Sequence, residues 1–460
     1  MTSSCLWVLA ASATLALTAC APEARVVQAA PNPDASLSAP LPSSTTAPVT
    51  LPPVAALPKG PVPSPTHSGT GAGLEAPSLE LPLATALEPL ARGLPELAPF
   101  YDRLEELRAG RRLTPVRVLW LGDSHTAADF MTEKVRARLF EVAGDGGPGF
   151  ISLGLDAYRH GAARVEKFGK WRHQPILPAQ RTRVLDGVFG YAGQRTIPLA
   201  GAEARVELRT KRVGEDMRWT LLTRLEPGDA LEVVLDGQTT IVRAHELVEI
   251  GGQSDSFVAP ATASFVLRHR AGDPQVFGVV VESVRPGAVL DTVGINGARV
   301  ATPLAWGPQQ YQARVRQRQP DLAVLAYGTN EAFDNTAPEK YADHYRELVG
   351  RLRAAVPDLS CWVIGAPDAA TRDGRSVSRL APLLLVQQSV ARELGCAFTS
   401  AQALMGGSGG FQRWLTASPP LARGDRIHLS ILGYQTLGQD LALALLPRAR
   451  VQPALSPEQP

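Results

Sequence analysis

The chain has 460 residues, of which 45% are hydrophobic and 20% charged, and its formal net charge at pH 7 is +2. That length and apolar content exclude a wholly disordered chain, and the near-neutral balance excludes a nucleic-acid partner held by bulk electrostatics. Only 4 cysteines exclude a disulfide-built scaffold, while 41 glycines and 39 prolines point to a low-complexity tract.

In chain order, the first feature is an apolar run at residues 6–19. It is too short to span about 30 Å of hydrocarbon but suits the apolar region of an export signal. It ends in Leu17-Thr18-Ala19-Cys20, which resembles the lipobox of bacterial lipoproteins. That resemblance implies a signal peptide at 1–20, cleavage before Cys20, and a lipid anchor on the Cys20 thiol that makes the membrane a partner. The protein would then be exported and periplasmic, and Ala21 after the cysteine favours the outer membrane. One departure is that no Lys or Arg precedes the apolar run. Residues 21–90 are rich in Pro, Ala and Ser without a persistent apolar period, which predicts a disordered tether.

Order is expected from about residue 95. Leu97, Phe100, Tyr101, Leu104 and Leu107 recur at helical spacing. Val116 to Leu121 form a short apolar run suited to a buried parallel strand, and residues 126–144 read as one helix. From about 156 to 290 the pattern changes to short alternating runs, at 204–210, 217–225, 230–237, 238–250, 261–269 and 274–283. Such runs separated by turns predict an antiparallel, jelly-roll-like module. An α/β rhythm then returns. Strands are expected at 322–327, in LSCWVIG and in CAFTS, and helices in PEKYADHYRELVGRLRAA, SRLAPLLLVQQSVARELG and SILGYQTLGQDLALALL. The fold class is therefore α/β with a parallel sheet, interrupted by an all-β insertion. The expected segments are 91–155 and 291–448 for the α/β domain, 156–290 for the insertion and 449–460 for a tail.

Chemistry in such a sheet belongs at the carboxyl ends of the strands. Three segments fall there. Gly122-Asp123-Ser124-His125 follows the first strand, where a serine stands at a helix start; Asp and Ser there are also ordinary helix caps. Gly328-Thr329-Asn330-Glu331 follows another strand, where an Asn amide can donate to a developing oxyanion. Asp425-Arg426-Ile427-His428 precedes the last helix, with a carboxylate three residues before an imidazole, a spacing that can hold the ring as a base toward a serine. Of the 8 histidines, His428 is the best base candidate, because His344 lies mid-helix and most others lie in the tether or insertion. No CxxC or histidine cluster points to a metal, and no cofactor is expected.

Together these segments resemble the SGNH hydrolase superfamily, the GDSL-type esterases and lipases. GDSH, GTNE and DRIH match its first, third and fifth blocks, and VGINGA fits the second; the resemblance covers about 95–150 and 285–447. It implies a three-layer α/β sandwich with a Ser124–His428–Asp425 triad. The implied oxyanion hole comprises the backbone N–H groups of Ser124 and Gly297 and the Asn330 amide, with Gly190 and Gly193 as rivals to Gly297. His125 and Glu331 depart from the usual Leu and Asp of those blocks. The order of GDSHTAADF, GDGGPGF, a β-rich module, GINGA, GTNE and DRIHLSILGY also resembles bacterial peptidoglycan O-acetylesterases with an inserted carbohydrate-binding-like module. The expectation is a serine esterase removing O-acetyl groups from an acetylated envelope polysaccharide. Alternatives are a saccharide O-acetyltransferase with the same triad or a non-catalytic polysaccharide-binding lipoprotein. Cys361 and Cys396 lie in neighbouring expected strands and form either a disulfide or, as the simpler expectation, two buried thiols.

Overall fold

The computed structural model describes residues 90–177, 186–209, 214–246 and 250–448. The expected signal peptide with Cys20, the expected tether up to residue 89 and the expected 449–460 tail lie outside the described residues. In chain order the elements are α1 (Ala98–Arg108), β1 (Val116–Gly122), α2 (Ser124–Ala127), α3 (Thr132–Ala143), β2 (Gly149–Ile151), β3 (Ala163–Phe168), β4 (Trp171–Pro175), β5 (Gln194–Pro198) and β6 (Glu203–Leu208). There follow β7 (Asp216–Arg224), β8 (Ala230–Leu235), β9 (Gln238–Arg243), β10 (Gln253–Pro260), β11 (Phe265–Ala271), β12 (Gln275–Ser283), β13 (Ala288–Gly294) and α4 (Pro308–Arg318). The chain closes with β14 (Leu322–Ala326), α5 (Pro338–Ala355), β15 (Ser360–Gly365), α6 (Leu380–Glu393), β16 (Ala397–Ser400), α7 (Ala401–Leu404), α8 (Gly410–Leu415) and α9 (Ile431–Leu445).

Five strands form a parallel sheet in the order β13-β1-β14-β15-β16. Alternation along each strand feeds two cores. Leu119 and Leu121 of β1, with Leu325 and Val363, face α4, α5 and α6. Val118 and Trp120, with Val324 and Trp362, face α1, α3 and α9. Both faces are covered, so these strands are largely apolar, and the three layers match the expected fold class. Cys361 and Cys396 are joined in a disulfide, with Cα atoms 4.8 Å apart. This corrects the simpler expectation of two thiols: the parallel pairing of β15 with β16 sets Trp362 opposite Ala397 and so places the two cysteines side by side.

The interruption is a two-sheet antiparallel sandwich. One sheet runs β10-β7-β12-β5-β4, with β2 added on β12; the other runs β3-β6-β11-β8-β9. Between them lies a core in which the Trp219 and Phe265 rings stack with centroids 5.5 Å apart. The strands β3, β4, β5 and β10 were not expected from the sequence, and β9 ends at Arg243 instead of running to 250. Arg117 and Arg318 both bind Glu282 of β12, and Arg318 also binds Asp291 of β13. Glu282 is largely buried; burial pushes its carboxyl up, but the Arg318 and Arg117 charges outweigh this and hold it down at about 2.

The helix expected over 126–144 is broken. Asp129 sits at φ +54, in the left-handed region that Asp tolerates better than most residues, and separates α2 from α3. Its buried carboxylate accepts hydrogen bonds from Thr132, from both terminal nitrogens of Arg136 at 2.9 and 3.0 Å, from Thr292 at 3.0 Å and from the Gly161 N–H at 2.6 Å. Burial would raise this carboxyl, yet Arg136 holds it well below the usual carboxylate range. One side chain thus fixes the break, reaches β13 and anchors the segment leading into the sandwich.

Candidate active site

The strand order 2-1-3-4-5, counted along the chain, reverses direction between β1 and β14, and a ligand cleft is expected at the carboxyl ends there. Gly122 opposite both Gly294 and Ala326 shows that β1, β13 and β14 end at one level. A Cβ on Gly122 would collide with the Thr126 side chain, so glycine lets the chain fold back tightly into α2. Asp123 caps that turn: its Oδ1 accepts the His125 N–H at 2.9 Å, and its carbonyl accepts the N–H groups of Thr126 and Ala127. Ser124 therefore begins α2, half-buried, with its hydroxyl facing outward.

The third segment is also built locally. Arg426 turns the chain at φ +67. Asp425 Oδ1 accepts the N–H groups of Ile427 and His428, at 3.0 and 2.8 Å. Its Oδ2 lies 3.0 Å from His428 Nδ1, and His428 Nε2 lies 2.9 Å from Ser124 Oγ. Ser430 then caps α9 by accepting the Gly433 N–H. Burial pushes the Asp425 carboxyl up, but the backbone N–H groups of His428 and Ile427, with the imidazole, bring it below its ordinary value. A carboxylate, an imidazole and a hydroxyl thus form one continuous hydrogen-bonded line.

Asn330, after β14, donates from Nδ2 to the Ala298 carbonyl at 2.8 Å and so touches the loop after β13. Gly297 lies on that loop at φ +77, exposed. The rivals Gly190 and Gly193 are elsewhere: they are buried against Phe277 and Trp306, where a Cβ would collide with each ring. Ser124 and His428 open onto a cleft of about 520 Å³ with Phe130, Asn296, Arg423 and Tyr434 in its walls. These four were not singled out from the sequence. Phe130 reaches the wall because of the break at Asp129, and the Arg159 guanidinium covers its ring at 3.9 Å. Phe130, Asn296 and Tyr434 lie within the GDSHTAADF, GINGA and DRIHLSILGY stretches, but nothing local in those stretches assigns them to a cleft wall.

Three buried groups surround this line. His125 is 5% exposed; the Tyr434 hydroxyl lies 3.0 Å from its Nδ1, and its ring centroid is 5.5 Å from that of His428. Burial, with His428 adding to it, drives His125 down to about 3, so it stays neutral beside the second imidazole. Burial raises Asp123 to about 6 and Glu331 to about 7. Among the described residues no group of three or more His, Cys, Asp or Glu side chains is arranged to hold a metal ion.

A family model described as GDSL-like lipase/acylhydrolase matches residues 255–436, a span that includes Asn330, Asp425 and His428 and begins within β10. Ser124 lies upstream of it, across the sandwich. Among solved structures, one described as a peptidoglycan O-acetylesterase is similar over 77% of this chain and 97% of its own, with a TM-score of 0.65 and 25% identity. A lipase/acylhydrolase from Enterococcus faecalis covers 36% of this chain and 80% of its own, at TM-score 0.27 and 18% identity. A family two carbohydrate esterase from Clostridium thermocellum covers 59% and 96%, at TM-score 0.26 and 10% identity. No curated protein sequence matches the chain. Residues 255–436 thus carry a GDSL-like lipase/acylhydrolase domain, and the chain is a carboxylic ester hydrolase. Within that class it is similar to the peptidoglycan O-acetylesterase in both of its parts, the α/β domain and the sandwich.

Proposed function

We propose that the protein removes O-acetyl groups from a cell-envelope polysaccharide such as peptidoglycan, through a Ser124–His428–Asp425 triad. The observation that carries the reading is the likeness over 97% of the length of a structure described as a peptidoglycan O-acetylesterase. The cleft supports it: about 520 Å³ far exceeds an acetyl group and lies within the ~300–1,000 Å³ range of ligand pockets, leaving room for sugar residues.

His428 Nε2 takes the Ser124 proton while Asp425 holds the Nδ1–H and stabilises the imidazolium. Ser124 Oγ attacks the acetyl carbonyl. The oxyanion is held by the backbone N–H groups of Ser124 and Gly297 and by the Asn330 amide, whose second N–H remains after the bond to Ala298. The bond to the sugar oxygen breaks as His428 returns its proton to that oxygen. A water, deprotonated by His428, attacks the acetyl-serine; collapse releases acetate and restores the serine. We further propose export and lipid anchoring at Cys20, which would bring a near-neutral protein to an envelope polymer without electrostatic capture.

The test is acetate release from O-acetylated peptidoglycan, acetylated xylan and p-nitrophenyl acetate by the wild type and Ser124→Ala. Preference for peptidoglycan and loss of all three activities in the variant are expected; release from xylan alone would overturn the substrate. Chitooligosaccharide acceptors in the same assay separate hydrolysis from acetyl transfer. A palmitate analogue should label the exported protein and not its Cys20→Ser variant.

A further inference from the structure

The loop after β13 is held by its flanks. Its tip, Asn296 and Gly297, is exposed, and a Cβ on Gly297 would meet nothing nearer than Leu177 Cδ1 at 3.9 Å. No close packing around Gly297 therefore fixes where its N–H points. Three contacts reach the loop from the segment after β14. Asn330 Nδ2 donates to the Ala298 carbonyl at 2.8 Å, Arg299 Nε donates to Asp334 at 2.7 Å, and the Val300 N–H donates to Glu331 Oε1 at 2.8 Å. The Arg299 pair is partly exposed and so a weak restraint. Glu331 differs: it is 1% exposed, and only one of its oxygens is partnered within the described residues, Oε2 having none. Burying a carboxyl at that cost is understandable if the single bond it makes has a purpose.

We propose that Glu331 is a positioning residue that joins the two halves of the oxyanion pocket, its carboxyl clamping the Gly297 loop against the segment that carries Asn330. The inference rests on the oxyanion roles given above. It assigns a task to a position where GDSL-type enzymes usually carry Asp: the extra methylene of Glu is what reaches the Val300 N–H. The groups that face this carboxyl are Asp123 at the α2 cap, Arg299 on the clamped loop, Tyr327 just after β14, and Tyr341 and Tyr345 of α5. Asp123 caps the turn that presents the Ser124 N–H, so buried carboxyls stand behind both backbone donors.

The sign of the pH effect follows. Burial first, and Asp123 to a smaller degree, raise Glu331 to about 7 in the folded protein, against 4.5 ordinarily. The stability this contributes is complete below about 4.5 and is lost as pH rises through 7, when a second charge is forced in beside Asp123. Gln keeps an acceptor for Val300 at the same reach and never ionises. Asp keeps the charge but falls short.

The experiment measures kcat and KM on p-nitrophenyl acetate, with melting temperatures, for Glu331→Gln, Glu331→Asp and Ser124→Ala. We expect Glu331→Asp to lower kcat 10- to 100-fold with KM within about threefold, as for a donor displaced by about 1 Å. Glu331→Gln should keep kcat within about threefold at pH 6, and its melting temperature should exceed the wild type's at pH 8.5 but not at pH 5. Unchanged kcat in Glu331→Asp, with or without a lower melting temperature, overturns the inference, and so does an equal loss in both Glu331 variants. Turnover by Ser124→Ala would instead overturn the mechanism beneath it.

Discussion

The parallel sheet and the sandwich use polar residues in opposite ways. Every residue of β15 is buried, and β1 is buried at all positions but Arg117. A sheet covered on both faces offers solvent only its strand ends, so Ser124, Asn330 and the loop with Gly297 all lie there. The sandwich is wet only in part: β12 is buried on both faces, with Phe277 and Val280 packed into the α/β core, while the start of β7 alternates exposed Asp216 and Arg218 with buried Met217 and Trp219. Its charges lie along the strands and pair across them, as Arg268 does with Glu203 and Glu232. The lesson is that layer architecture decides where reactive groups can collect, before any particular reaction is considered.

Removing the end-of-strand chemistry should leave the fold intact. Ser124→Ala and His428→Ala are expected to lower kcat/KM on p-nitrophenyl acetate by at least about 10³–10⁴-fold, with melting temperatures within a degree or two of the wild type's. Asn330→Ala should cost about 10²–10³ in kcat, read in the same assay. The tie between the two regions should respond in stability. Asp129→Ala leaves the Arg136 charge buried without its carboxylate, and urea unfolding is expected to register a loss of about 3–5 kcal/mol. Within the parallel sheet, replacing Cys361 and Cys396 by serine opens a loop of 35 residues; the loss expected by the same method is about 2–4 kcal/mol. The smallest effect belongs to the wet face of the sandwich. Arg164→Ala breaks an exposed pair with Glu166 and should change stability by less than about 1 kcal/mol. A large loss there, or a small one at Asp129, would break the contrast.

Legibility differed between the regions for the same reason. β1, β14 and β15 are apolar on both faces, and their runs stand out in any reading of the chain. The strands β3, β4 and β10 carry Arg, Glu, His and Asp on wet faces and read as loop. α4 escaped notice because its buried side includes Arg314 and Arg318, whose charges are met by groups on β10, β12 and β13 far away in the chain. The helix break at Asp129 was hidden likewise: nothing in TAADFMTEK announces partners at Gly161 and Thr292.

The GDSH, GTNE and DRIH segments, the burial of the sheet and the all-β character of the middle of the chain are properties of short stretches. Local periodicity and turn chemistry suffice for them, and the sequence by itself determined them. Tertiary structure decided what depends on distant partners: the 2.9 Å approach of His428 to Ser124 across 304 residues, the disulfide between Cys361 and Cys396, the cleft wall at Phe130, and the hydrogen bond from the Val300 N–H to Glu331. Each needs groups brought together by strand order and layer packing, which no local stretch encodes.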